Sequence, residues 1–243
     1  MTDLLQQYPY KIELHAHTKP ASGCSCVPPE EMIQCHKALG YDAIVVTNHF
    51  TRDFLNDRGG GEAALEAFLD DYHRAKAEGD KIGMKVLFGM EFKIPATSPN
   101  EYLIYGIEEQ FVVKAEKCIT DGVDTLEEVY ARLKDDKNLI IQAHPFRDGM
   151  ELKGEHCIDG FEMINTAPGH NSRPGPACQG AALRPNAIVT AGSDTHYHEA
   201  DDLVCLRAKT LPEDSFALAE ILKSRDYLFQ MGSSVILPYG MLP

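Results

Sequence analysis

Two histidines stand two residues apart at the end of the stretch Lys11-Ile12-Glu13-Leu14-His15-Ala16-His17. In an extended chain, residues i and i+2 leave the same side, so this spacing aims both imidazoles at one point and forms a chelate for a metal ion. A lone His-x-His is weak evidence, because strand ends commonly carry surface histidines; repetition gives it weight. Five later runs of strand length end in a residue able to ligate a metal or to hold one that does. They are 42–49, ending in His49; 85–91, ending in Glu91; 138–144, ending in His144; 160–165, ending in Asn165; and 187–196, which carries Asp194 and His196. Mixed imidazole and carboxylate sets suit Zn²⁺, Mn²⁺ or Fe²⁺ better than the all-oxygen shells preferred by Mg²⁺ and Ca²⁺.

The elements that must position these groups follow from the same pattern. Near-continuous apolar runs suit strands buried on both faces, in a parallel sheet with helices outside it, and the C-terminal ends of such strands converge on one mouth. Between them, Pro29 opens a helix closed by Gly40, and the spacing of Leu65, Phe68, Leu69 and Tyr72 predicts a second helix ending at Gly79. Asp124-Thr-Leu-Glu127 has the form of a capping box before a third, and residues 101–106 read as a further strand. Residues 146–157 and 165–185, rich in Gly, Pro and Asn, read as mouth loops; a strand at 203–206, a helix at 213–224 and a strand at 234–237 complete the chain.

With 243 residues, 44% of them hydrophobic, the chain has the length of a single α/β barrel. A net charge of −14 argues against a nucleic-acid polymer, whose phosphates need a basic face. No apolar run reaches the roughly 18 residues that span a bilayer, no basic leader precedes an apolar core, and seven scattered cysteines suit a reducing compartment, so a cytoplasmic protein without membrane partners is expected. The oligomeric state stays open.

On five motifs the chain resembles the PHP (polymerase and histidinol phosphatase) metallohydrolases: His15-Ala16-His17, Thr47-Asn48-His49, Gly89-Met90-Glu91, Ala143-His144-Pro145 and Ser193-Asp194-Thr195-His196, in the family's order and spread over nearly the whole chain. The resemblance implies one domain over residues 1–243, a distorted seven-stranded (β/α) TIM-like barrel with two or three divalent transition-metal ions (Zn, Mn or Fe) at its mouth. It implies His15, His17, Glu91 and Asp194 around one ion, Glu91 bridging to a second held by His144, and His49 with His196 at a third. Two departures stand out. An Asp or His is expected seven or eight residues after the first histidine, where this chain has Ser22 and Gly23, and no second histidine follows Glu91 before Tyr105. Asn100, Cys24 and Cys26 stand near enough in sequence to fill the gaps.

The chemistry so implied is hydrolysis of a small phosphate monoester, with histidinol phosphate, a nucleotide and a sugar phosphate all fitting, by hydroxide generated at the metals. His49, Glu91, Asp194 and His196 are the catalytic candidates, His49 or His196 protonating the leaving alkoxide. Arg147, Asn165, His170 and His198 are the candidates for contact with substrate, Arg147 as a fork for the phosphate, with Arg173 and Lys19 behind it. His36 and His73, on helices, and His156, in a loop, read as solvated. Two rivals remain: a metal-dependent hydrolase of C–N or C–O bonds, and a metal-binding module without turnover.

Overall fold

The computed structural model describes residues 2–93, 99–154, 156–197 and 203–239. The first part of the chain holds α1 (Thr2–Gln7), β1 (Tyr10–Ala16), α2 (Pro29–Ala38), β2 (Ala43–Val46), β3 (His49–Phe50), α3 (Arg52–Asp57) and α4 (Gly61–Ile82). There follow β4 (Lys85–Phe88), β5 (Met90–Lys93), β6 (Glu101–Tyr105), α5 (Phe111–Thr120), α6 (Leu126–Leu133) and β7 (Leu139–Gln142). The remainder comprises β8 (Gly160–Asn165), α7 (Pro174–Leu183), β9 (Ile188–Gly192), β10 (Val204–Ala208), α8 (Ser215–Ser224), β11 (Tyr227–Met231) and β12 (Ser234–Ile236).

The strands form two six-stranded sheets, ordered β12-β11-β10-β1-β2-β4 and β3-β5-β6-β7-β8-β9. This corrects the expectation of a wholly parallel sheet: the hydrogen-bonded order gives two mixed sheets, and β1 meets the β9 side through one isolated bridge, Ala16 to Thr195. The cause lies in two interruptions and one reversal. The runs read as single strands at 42–49 and 85–91 break at Thr47-Asn48 and at Gly89, so each begins in the first sheet and ends in the second. β6 runs antiparallel to both β5 and β7. Only residues 94–100 separate it from β5, fewer than the dozen or so that a parallel crossover requires.

The two sheets share one interior. Its largest apolar cluster draws Ile12, Leu14, Val45 and Leu206 from the first sheet and Leu103, Tyr105, Ile141, Phe161 and Val189 from the second. Alternation along β6 sends Leu103 and Tyr105 into this cluster, while Tyr102 and Ile104 pack in a second one with Phe68 of α4, Phe111 of α5 and Val129 of α6.

Several local expectations shift. α4 continues past Gly79 to Ile82 and stops at Gly83, whose φ of 69° is the left-handed conformation that glycine adopts without strain. Gly79 is there for packing, since a Cβ would lie 2.6 Å from the Met84 carbonyl oxygen. The cap of α6 sits one residue later than read, with the Thr125 hydroxyl accepting from the Glu128 amide. Part of the stretch taken as a 165–185 loop is α7, started by Pro174, whose fixed φ suits a first turn. β11 and α5 had no clear signal. His73 and His156 are exposed as expected, but His36 is 1% exposed, edge-on to Tyr41 and with Nδ1 donating to the Met32 carbonyl.

Burial pushes the His36 imidazole down to about 4 from its ordinary 6.5. The unfolded chain therefore takes up this proton first as pH falls, so the stability due to neutral His36 is present above about pH 6.5 and drains away toward pH 4, by on the order of 2 kcal/mol at pH 5. Urea unfolding at about pH 7.5 and about pH 5 should show a larger loss in the wild type than in His36→Gln. Equal losses would place the acid sensitivity elsewhere.

Candidate metal centre

His15, His17, Glu91, His144 and Asp194 are brought together at 3% exposure or less, and His49 and His196, partly buried, join them from the rim. Glu91 is the hub. Its Oε1 lies 3.4 Å from His15 Nε2 and 3.1 Å from His144 Nε2, and its Oε2 lies 3.4 Å from His17 Nε2 and 2.7 Å from His49 Nδ1. Asp194 faces it, with Oδ1 3.5 Å from His15 Nε2 and 3.2 Å from His17 Nε2. The His17 ring is stacked against both His49 and His196, at centroid distances of 4.2 and 4.3 Å.

Each imidazole is held from behind. His15 Nδ1 pairs with Glu162 Oε1 at 3.0 Å, and the other Glu162 oxygen accepts from the His144 amide and from Asn165 Nδ2. Glu13 Oε1 accepts the His15 and Ser193 amides, which ties β1 to the loop after β9. Burial raises the Glu13 carboxyl to about 7, against the pull of those two amides. The clearance is small: a Cβ on Gly192 would lie 2.4 Å from His15 Cβ and 2.8 Å from Glu162 Oε1. Two of the clustered residues themselves take left-handed backbone, His144 at φ 29° and Asp194 at φ 52°, a local strain that persists only where surrounding contacts over-determine the position.

The charges are strongly interlocked. Burial alone drives the His15 imidazole down, but Asp194, Glu162 and Glu91 outweigh it and hold the group well above its ordinary value. His17 goes the other way, well below, because burial is reinforced by the adjacent His49. Burial raises Glu91 and Asp194, yet His15 with His49, and His15 with His17, hold them well below the usual carboxylate range. Four buried atoms of this cluster, His15 Nε2, His17 Nε2, His49 Nδ1 and Glu91 Oε2, face imidazole or carboxylate groups at 2.7 to 3.5 Å but make no contact with hydrogen-bond geometry. Convergent nitrogen and carboxylate donors are what a divalent transition metal takes. Among the described residues three sets have ligand atoms within 4.8 Å of one another: His15, His17 and Asp194; His17, His49 and His196; and His49, Glu91 and Glu101.

Above the cluster a cavity of about 260 Å³ is lined by Cys24, Glu101, Arg147, His170, His196 and Tyr197, among others. The Arg147 guanidinium donates to Asp194 Oδ2 and, at 2.8 Å, to Asn165 Oδ1, while its buried Nε has no partner. Arg173, instead of reaching a substrate, donates to the Phe146 and Arg147 carbonyls and pairs with Asp148. Lys19 is exposed, and His198 lies outside the described residues. Ser22, read as a gap, is fully buried: its hydroxyl pairs with His17 Nδ1 at 3.2 Å and accepts the His49 amide at 3.0 Å. Cys24 reaches the rim instead. Partial burial works against ionisation, but contacts with His196 and His49 prevail and bring the thiol down to about 6. Cys26 contributes a backbone bond to His196, and Asn100 engages Tyr102.

Sequence reasoning missed Glu162, Glu13 and Glu101. The signal for the first two was a charge inside a buried strand, which needs a partner. Glu101 opens a strand, and the search considered strand ends that finish there.

Residues 13–111 match the family model of the PHP domain. DNA polymerase III PolC-type proteins of Streptococcus pyogenes align over 92 residues at 29–30% identity, which is 38% of this chain but 5% of those polymerases. In fold the chain is similar to a two-domain protein from Bacteroides vulgatus containing a predicted PHP-like metal-dependent phosphoesterase, with a TM-score of 0.64, 17% identity and 93% of this chain covered, against 66% of that one. A Bifidobacterium adolescentis protein, named provisionally as a metal-dependent phosphoesterase, covers 87% of this chain at 16% identity with a TM-score of 0.52, over 95% of its own length. The PHP resemblance carried by the motifs is thus what independent comparison of sequence finds over the first part of the chain, and of fold over most of it.

Glu162→Gln should keep the fold but weaken Mn²⁺ binding by about tenfold to a hundredfold, the usual cost of removing the carboxylate behind a ligating histidine. Calorimetric titration of both proteins measures it, and equal affinities would mean that Glu162 only fills space.

Proposed function

We propose that this chain is a metal-dependent phosphoesterase acting on a small phosphate monoester, with the two sheets serving as the walls of a distorted barrel. The observation that carries the reading is the convergence of His15, His17, His49, Glu91, His144, Asp194 and His196 on one buried point, with ligand atoms of His15, His17, His49 and Glu91 left outside any hydrogen bond. His15, His17, Glu91 and Asp194 would hold one ion, Glu91 and His144 a second, and His49 with His196 a third if three bind. Ions of Zn²⁺, Mn²⁺ or Fe²⁺ held there supply Lewis acidity, lowering the pKa of water and offsetting charge on phosphoryl oxygens.

The chain's own groups do the rest. Arg147 offers its guanidinium at the cavity wall and exchanges its contact with Asp194 for one to the substrate phosphate, while Asn165 keeps it in place. His196 keeps Nδ1 on the Asp194 carbonyl at 2.9 Å, so where no third ion binds, its other ring nitrogen is the one able to pass a proton to the leaving oxygen. His49 is the second candidate for that proton. His170, at the mouth beside Arg147, is placed to contact the organic part of the ester. A bridging carboxylate, Glu91, in place of a lysine favours phosphate esters over C–N bonds. Seven free cysteines fit a reducing compartment, and among the described residues no helix is long and apolar enough to cross a membrane.

A panel of phosphate monoesters with Mn²⁺ added should show phosphate release that a chelator abolishes. Stoichiometric metal without turnover on any phosphate, amide or lactone would leave a binding module. Asp194→Asn should abolish release with the fold intact, whereas Asp214→Asn should be silent, because Asp214 only caps α8 and Asn caps as well. Retention of a tenth of the rate in Asp194→Asn would remove Asp194 from the centre. Arg147→Ala should raise KM more than it lowers kcat, costing about 1.5 to 3 kcal/mol of anion binding. An unchanged KM would confine Arg147 to its bonds with Asn165 and Asp194.

A further inference from the structure

We propose that Glu101 is a metal ligand, supplying a carboxylate where an imidazole was expected after Glu91. The inference rests on the metal-centre reading above and concerns a residue that no family motif in the chain marks.

Three observations converge. The first is topological. Because β6 runs opposite to β5 and β7, its first residue, not its last, lies beside their C-terminal ends: Glu101 pairs with Lys93 in register, and its carbonyl accepts the Ala143 amide at 2.8 Å, one residue before His144. The second is contact. Glu101 Oε2 lies 3.5 Å from His144 Nε2 and Oε1 3.9 Å from His49 Nδ1, and the side chain is 13% exposed on the cavity wall. The third is an unmet need at the same point. Glu91 Oε2, fully buried, and His49 Nδ1 lie 2.7 Å apart as an ion pair without hydrogen-bond geometry, and their two residues form with Glu101 one set of convergent ligand groups.

A rival contact exists, since Lys93 Nζ lies 3.2 Å from Glu101 Oε1. That pair would make Glu101 a surface ion-pair residue. Yet Lys93 is 41% exposed and engages one oxygen, whereas the other oxygen faces His144. An ion held by Glu91 and Glu101, with His49 or His144 as the imidazole, would have two carboxylates and one imidazole. Exchanging an imidazole for a carboxylate hardens the set and shifts preference from Zn²⁺ toward Mn²⁺.

The test counts and ranks metals, with activity left aside. Full-length wild type, Glu101→Gln, Glu101→His, Lys93→Met and Asp194→Asn are stripped, checked for fold by circular dichroism, and titrated with Mn²⁺ by electron paramagnetic resonance and calorimetry, then with Zn²⁺ in competition. Glu101→Gln should lose one Mn²⁺ per chain or bind it at least about tenfold more weakly, the least that loss of even a ligand's supporting group costs. Glu101→His should keep the ion count while favouring Zn²⁺ over Mn²⁺, and Lys93→Met should match wild type. Wild-type Mn²⁺ count and affinity in both Glu101 variants would overturn the inference, as would the same loss in Lys93→Met. Loss of Mn²⁺ in Asp194→Asn alone would leave the metal centre standing and sink only the role of Glu101. Absence of Mn²⁺ and Zn²⁺ binding by wild type would overturn both.

Discussion

Charge buried without water is the constraint on which this structure turns. A carboxylate or imidazolium moved into a protein interior costs several kcal/mol even after relaxation, unless an opposite charge and hydrogen bonds meet it there. Here Glu13, Glu91, Glu162, Asp194, His15 and His17 all sit at 3% exposure or less within one neighbourhood. They are tolerable only together. Glu91 and Asp194 neutralise His15, Glu162 accepts from three directions, and the amides of His15 and Ser193 close on Glu13. The left-handed backbone at His144 and Asp194 is a further cost, borne because the network leaves those residues nowhere else to go.

The fold answers that constraint by gathering strand ends. Breaks at Thr47-Asn48 and Gly89 carry two chain segments from one sheet to the other and bring His49 and Glu91 side by side, paired in register on β3 and β5. The reversal at β6 then reaches the same place from the opposite direction. Around the polar centre the apolar clusters do ordinary work: residues of the two sheets alternate between the shared interior and the helices outside, so the candidate ligands hang from strands that are themselves packed on both faces.

Much of this was legible in the residues. An apolar run can end in a buried histidine or carboxylate only if something receives the charge, and five of the six runs end that way, which points to one shared polar centre. What stayed hidden depended on pairing. Nothing in Glu101-Tyr-Leu-Ile-Tyr105 states which way the strand runs; the clue was the short link to Lys93, too brief for a parallel crossover, and so Glu101 went unread. Ser22 looked like a missing ligand because sequence spacing does not say that a hydroxyl will turn inward to hold His17 and the His49 amide. His36 looked solvated because it stands on a helix away from the strand ends, yet its packing against Tyr41 buries it. The two-sheet arrangement escaped for a similar reason, since a break of one or two residues leaves a run looking like one strand.

Gly192 carries no functional group, yet the space above its Cα is already occupied by His15 and Glu162. Any side chain there would move a ligand and its supporting carboxylate at once. In a survey of tolerated substitutions this position would therefore score with the histidines and acids around it, though it contributes no atom to the chemistry. Ranking residues by how badly they bear replacement would place it among the reactive groups. Steric exclusion, as much as donated electrons, would define the apparent outline of this buried polar centre.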